Sequence, residues 1–188
     1  LFRSGAVVRG TVRSEGAPGI SIMGRGILDA RFRTEKKRFV ELRACTDIIM
    51  KDLLILGSFG WTVVPRQCRN VLLDNVKIFS WRPNDDGLDI CSSRNVTVRG
   101  SFFRTKDDCI AVKAPDTSGT AEHDVDGIHI EESVFWNAEW GNAMEVGFEL
   151  RAPSVRNITW ENCDIIRVEK GACFSVHPGA SYRQGAEE

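Results

Sequence analysis

The chain has 188 residues, 42% of them hydrophobic, enough to bury one core and not enough to demand a second domain. Its 25 basic and 26 acidic residues leave a formal net charge of -1, so no overall field recommends nucleic acid or an anionic membrane as a partner. No apolar run approaches the roughly 20 residues of a membrane helix, and none of the six cysteines forms the Cys-x-x-Cys pair of a zinc or redox site.

The sequence opens on Leu1, without a methionine and without a basic segment leading into an apolar stretch. Residues 1 to 17 offer no clear cap, and the chain stops soon after Tyr182-Arg183-Gln184. Both ends look cut, so residues 1–188 are read as a single domain belonging to a longer protein.

From Gly19 onward one unit recurs, a turn residue followed by alternating apolar residues. Its six copies are Gly19-Ile20-Ser21-Ile22, Asp47-Ile48-Ile49-Met50, Asn70-Val71-Leu72-Leu73, Asn95-Val96-Thr97-Val98, Gly127-Ile128-His129-Ile130 and Asn157-Ile158-Thr159-Trp160. They are spaced by roughly 23 to 32 residues, the period of a solenoid. Alternation with period two and an excess of β-branched residues make these segments strands. A second strand follows each, as at Val76-Lys77-Ile78 and Val134-Phe135, and a third precedes the turn residue, as at Leu88-Asp89-Ile90, Ile110-Ala111-Val112 and Met144-Glu145-Val146. Three short strands per coil over about six coils predict an all-β parallel β-helix, in which no coil is stable alone. Asn70, Asn95 and Asn157 fall at one turn, where asparagine tolerates left-handed backbone and its amide can bond its counterpart one coil away.

The cysteines read as contents of the core. Cys45 and Cys68 stack about 4.8 Å apart, within reach of a disulfide, although stacked cysteines are also ordinary core fillers.

Stacking the third strands places Asp86, Asp108 and Asn142 in one column and Asp89, Ala111 and Glu145 in a second outward one, with Leu88, Ile110 and Met144 pointing inward. Asp107 flanks the first column at the strand entrance. Glycoside hydrolysis requires one protonated acid for the leaving oxygen and one carboxylate to activate water or attack, and crowding three carboxylates raises at least one pKa into the range of such an acid.

Asn84-Asp85-Asp86-Gly87 and Asp107-Asp108-Cys109-Ile110-Ala111-Val112-Lys113 resemble the Asn-Thr-Asp-Gly and Asp-Asp-Cys-Ile-Ala-Ile-Lys motifs of the polygalacturonase-type glycoside hydrolases, family 28. The likeness runs from about Ile20 to Val176, and includes Ser21 to Asp29 and Gly60-Trp61-Thr62-Val63-Val64-Pro65 before Cys68-Arg69-Asn70-Val71. It implies a right-handed β-helix, inversion without a covalent intermediate, Asp107 as general acid, and Asp86 and Asp108 holding and activating the water. It also implies a secreted or periplasmic enzyme that needs no organic cofactor. Two departures stand out. Asn142, in Trp140-Gly141-Asn142-Ala143-Met144-Glu145-Val146-Gly147, replaces the histidine of the family's Gly-His-Gly. Cys173-Phe174-Ser175-Val176-His177 stands where the family has the Arg-Ile-Lys that binds a uronate carboxylate, so a pectic and a neutral glycan have equal weight as substrate.

Lys113, Asn142, Glu145, His177 and Trp81 are the residues expected to bind substrate, with Glu149 lining the cleft and Arg151 and Lys106 behind. Trp136 and Trp140 also sit in connections toward the cleft, whereas Trp160 lies in a repeat strand and is expected to pack. His129 and His123 are expected to be structural or solvated, the latter in the polar stretch from Asp116 to Asp126, either a lid or an insertion. Two other functions fit the same strands. A lyase would hold Ca²⁺ in the carboxylates and use Lys113 or Arg151 as base. A glycan-binding module would use the cleft without turnover.

Overall fold

The computed structural model describes residues 1–115 and 123–177. Among them the chain is all β-strand, wound as a right-handed parallel β-helix of three sheets. The sheet that carries the acids contains β2 (Val12–Glu15), β5 (Val40–Arg43), β8 (Val63–Arg66), β11 (Leu88–Cys91), β14 (Ile110–Ala114), β17 (Met144–Leu150) and β20 (Phe174–Val176). The recurring apolar unit forms the second sheet, from β3 (Ser21–Met23) to β18 (Val155–Glu161), and the third runs from β1 (Val7–Val8) to β19 (Asp164–Val168). The residues before Gly19, without an expected element, contain β1 and β2 and start the first coil.

The register explains why the unit repeats. Leu28, Ile55, Ile78, Phe103, Phe135 and Ile165 follow one another along the third sheet, each paired with the next. The Phe103 and Phe135 rings stack 5.3 Å apart, and Trp160 of β18 closes on Phe135 at 4.4 Å, so Trp160 packs as its place in the repeat predicts. Each inward position thus buries its side chain between like side chains above and below, and a coil removed from the stack would expose both faces.

The turn residues behave as their chemistry requires. Asp47, Asn70, Asn95 and Asn157 have φ between 54° and 58°, a region that aspartate and asparagine enter at low cost. The Nδ2 of Asn70 donates to Asp47 Oδ1 (2.8 Å) and that of Asn95 to Asn70 Oδ1 (3.2 Å). Gly127 then interrupts the ladder, and Asn157 donates to the neighbouring Asp126 instead (2.7 Å).

All six cysteines are free, Cys45 and Cys68 included. The two stack in register, but each thiol serves as a donor: Cys45 to the carbonyl of Arg43, Cys68 to those of Leu42 and Arg66. Ser93, one coil on, makes the same bond with its hydroxyl to Cys91, as do Ser101 and Ser133 at the other corner. These thiols therefore donate to backbone carbonyls without a bond between the sulfurs, and burial pushes the Cys68 thiol up to about 11, out of the reactive range.

Candidate active site

The acids stand on a row of positions that the backbone register fixes. Phe39 N donates to Trp61 O, Thr62 N to Asp86 O, Gly87 N to Asp108 O, Cys109 N to Asn142 O and Ala143 N to Ala172 O. Arg38, Trp61, Asp86, Asp108, Asn142 and Ala172 are thus successive rungs, with Asp86, Asp108 and Asn142 adjacent as the stacking of motifs predicts. The turn Asn84-Asp85-Asp86-Gly87 is built for this. Asn84 is left-handed (φ 54°), and any Cβ on Gly87 would meet the Cys109 carbonyl at 2.5 Å.

Asp85, which drew no role from the sequence, is the buried brace of the site. Its carboxylate accepts from the backbone amides of Arg82 (2.7 Å), Lys106 (2.8 Å) and Asp107 (3.0 Å). The Asp107 carbonyl in turn accepts from Thr105 Oγ1 (2.6 Å) and Asn137 Nδ2 (2.8 Å). The loop that presents Asp107 is therefore held from three sides while its side chain stays half-exposed. Gly141 completes the approach, since a Cβ there would lie 2.7 Å from both the Asp107 and the Asp108 Oδ1 atoms.

The carboxylates of Asp86, Asp107 and Asp108 each place an oxygen within 4.8 Å of the others. Burial dominates their electrostatics. It pushes Asp108 up to about 7, aided by the charge of Asp107 and opposed by the Asn142 amide. Asp86 rises well above the ordinary carboxylate value, by burial first and then by repulsion from Asp89, with Lys113 pulling the other way. Asp86 and Asp108 thus bind a proton more tightly than ordinary carboxylates, as groups that take a proton from an attacking water require.

Lys113 is the cation that lets these charges coexist. Its ammonium lies 2.9 Å from Asp89, 3.5 Å from Asp86 and 3.8 Å from Glu149, and 3.7 Å from the centroid of the Trp61 ring. Burial alone would lower its pKa, but Asp89, Asp86 and Glu149 together outweigh that and raise it, so the side chain is a fixed positive charge. Asp89 and Glu145, expected on an outward column, are both fully buried, because Lys113 covers the first and Asn142 and His177 enclose the second.

Asn142 is tied to the acids directly. Its backbone amide and its Nδ2 both donate to Asp108 Oδ1 (2.6 and 3.1 Å), and Nδ2 also donates to Glu145 Oε2 (2.9 Å). The other Glu145 oxygen lies 2.6 Å from His177 Nδ1, and the His177 ring stacks on Phe148 at 4.2 Å. Asn142, Glu145 and His177 therefore form one chain leading away from Asp108.

A cleft of about 670 Å³ opens over the row, and Asp86, Asp107, Asp108, Lys113 and Glu149 line it. Of the other expected substrate contacts, Asn142, Glu145 and His177 lie beside this lining and Trp81 lies outside it, half-exposed. Trp136 stands under Arg104 and Trp140 under Lys170. Arg151 and Lys106 are outside the lining as well, and Lys106 pairs with Glu139 at 2.9 Å. His129 bonds Thr159 and Glu131, and His123 bonds Gln67. The remainder of the polar stretch, residues 116–122, lies outside the described residues. Sequence reading missed Trp61, Arg38 and Arg66 in the lining; extending the Asp86 column one coil toward the N-terminus would have found Trp61.

The family model for glycosyl hydrolases family 28 matches residues 28–177. The chain belongs to this family. Among curated relatives, a probable polygalacturonase of Vitis vinifera is 34% identical over 77 residues, 40% of this chain and 16% of the relative. One of Arabidopsis thaliana is 24% identical over 165 residues, 85% of this chain and 34% of the relative. The chain thus spans about a third or less of these relatives. Two solved exopolygalacturonases share the fold: a hyperthermoactive one of Thermotoga maritima (TM-score 0.65, 17% identity, 85% of this chain and 48% of that one) and a family 28 one of Yersinia enterocolitica (TM-score 0.57, 18% identity, 75% and 30%). Within family 28 the chain is divergent, with Asn142 for the motif histidine and Cys173-Phe174-Ser175-Val176-His177 where Arg-Ile-Lys is usual.

Proposed function

We propose that this protein hydrolyses a glycosidic bond of a pectic or related glycan with inversion, Asp107 protonating the leaving oxygen while Asp86 and Asp108 hold and activate the water. The observation that carries the hydrolytic reading is the convergence of the three carboxylates within 4.8 Å at the floor of a cleft, while inversion is taken over from the resemblance of the motifs to family 28. Asp107, the half-exposed member, is the one a leaving group can reach. Asp86 and Asp108 are buried, and their raised affinity for protons suits groups that take one from water as it attacks. The Asn142 amide and the Lys113 ammonium orient them.

Lys113 also bears on the lyase alternative. A Ca²⁺ site draws on carboxylate charge, and here much of that charge is already neutralised by a buried ammonium. Lys113 is unsuited to act as base, since its neighbours hold it protonated. Degradation of a polymeric glycan implies action outside the cytoplasm, so a secreted or periplasmic location and a role in pectin breakdown follow from this reading.

The test is a screen of pectic, neutral and sulfated polysaccharides, with the anomeric configuration of the first product followed by NMR. New reducing ends of inverted configuration, unaffected by EDTA, are expected. Unsaturated products absorbing in the ultraviolet, or binding without any product, would replace this reading by the lyase or the binding module.

A further inference from the structure

Glu145 is a fully buried carboxylate one coil beyond the acids, and its two oxygens face two different side chains. Oε2 accepts from Asn142 Nδ2 (2.9 Å), and Oε1 lies 2.6 Å from His177 Nδ1. An ionised carboxylate only accepts, so Nδ1 carries the proton of that bond. His177 is set there by its backbone amide, which donates to the Val146 carbonyl (2.9 Å), and by the Phe148 ring stacked on it at 4.2 Å. Ser175 Oγ stands 3.1 Å from the same nitrogen, and among the described residues Glu145 is the charged group that His177 bonds. Asn142 is held as firmly. Its Oδ1 accepts from the Ala172 amide (2.9 Å), which fixes the side-chain amide so that Nδ2 points toward the carboxylates. Nδ2 then serves two acceptors, Glu145 Oε2 and, at 3.1 Å, Asp108 Oδ1. One amide is thus held between two carboxylates, and what draws it toward Glu145 draws it from Asp108.

We propose that His177 is a positioning residue for Asp108, not a substrate contact: by donating to Oε1 of Glu145 it leaves the Asn142 side chain free to donate to Asp108, and so acts on that acid from the far end of the chain through Asn142 and Glu145. This role rests on the reading of Asp108 as a carboxylate that activates water. Without His177, Oε1 would be a buried acceptor lacking its donor. The unshared charge of Glu145 would then draw Nδ2 away from Asp108, whose bond to it is the longer of the two. A hydrogen bond to the ionised form of a carboxyl favours that form, so its loss raises the pH at which Asp108 ionises. The charge of Glu145 already pushes Asp108 in that direction, after burial and the charge of Asp107.

The test follows the Asp108 carboxyl by carbon-13 NMR titration of the full-length protein without substrate, its signal identified by its loss in Asp108→Asn. His177→Leu keeps bulk against Phe148 and removes the donor, and is expected to raise the titration midpoint by about half a pH unit or more. His177→Asn, whose Nδ2 takes the place of the imidazole Nδ1 without titrating, is expected to keep the wild-type midpoint. In an Asn142→Ala background, His177→Leu is expected to add nothing, because the route is already cut. With a substrate from the polysaccharide screen, His177→Leu is expected to lower kcat at unchanged KM and to move the acidic limb of kcat/KM up with the midpoint. Should the leucine variant melt early, His177→Ala makes the same comparison. A midpoint unmoved while the melting temperature falls would leave His177 a structural residue. A shift of equal size with and without Asn142 would mean that its charge acts across space. Either result would overturn the proposal. The titration needs no turnover, so failure of hydrolysis in the wild-type protein is a separate result from failure of this one.

Discussion

The side-chain amide of Asn142 donates to Asp108 Oδ1 at 3.1 Å while the backbone amide of the same residue donates to it at 2.6 Å. A single oxygen of Asp108, one of the pair proposed to activate water, is thus held by two donors from one residue, in the rung where the family carries histidine. Replacing Asn142 with Ala keeps the backbone donor and removes the other, and turnover is expected to fall on the order of tenfold to a hundredfold. Asn142→Asp sets a third carboxylate against Asp108 and Glu145, and is expected to cost more. Initial rates of reducing-end release, with melting temperature as the control for folding, decide both.

Lys113 makes a second prediction, about stability. Lys113→Met leaves Asp86 and Asp89 buried without their cation, and breaking a buried pair in this way costs about 3 kcal/mol at neutral pH. The deficit is expected to shrink as pH falls through about 6, where Asp89 takes up a proton and the lost charge partner no longer matters. Urea unfolding of wild type and variant at pH 7 and pH 5 measures the difference directly.

The pH dependence of wild-type stability follows from the same burial. Asp85 and Asp89 are each pushed up to about 6 and Asp108 to about 7, mainly by burial. A carboxyl whose folded value exceeds its unfolded value of about 3.9 stabilises the fold when protonated, and loses that contribution as pH rises through the folded value. Asp29 runs the other way, its value held far down by hydrogen bonds from Arg31 against the effect of burial, so its contribution disappears only in stronger acid. Melting temperature is therefore expected to peak near pH 4 to 5 and to decline toward pH 7. A melting temperature that climbs steadily from pH 5 to pH 7 would contradict the burial argument.

Activity should show the same groups. Asp108 must be ionised to take a proton from the attacking water, so the acidic limb of kcat/KM is expected near pH 7, with the optimum above it. Asp85→Asn keeps the site's carboxylates while weakening the brace on the amides of Lys106 and Asp107, and is expected to lower kcat without moving that limb.

Much of this was legible because a solenoid turns sequence spacing into spatial adjacency. The repeat from Gly19 to Trp160 fixes the strands, and the spacing of Asp86 and Asp108 fixes their rung, since paired strands allow one register once the inward positions Leu88 and Ile110 are set. Three things were less legible. β1 and β2 carry no full unit, so the first coil shows only through its pairing with β4 (Ile27–Asp29) and β5. Asp89 and Glu145 alternate outward correctly, but their burial depends on Lys113, Asn142 and His177 closing over them, which pleat alone does not state. Asp85 looks like an ordinary turn aspartate in sequence; its role lies in which amides the next coil brings to it.

The central claim is that Asp86, Asp107 and Asp108 together perform hydrolysis. Asp107→Asn and Asp108→Asn, each measured on the best substrate of the polysaccharide screen, test it most directly. Both are predicted to abolish the release of new reducing ends while circular dichroism and melting behaviour remain those of the folded wild type. Near-normal turnover in either variant would contradict the account.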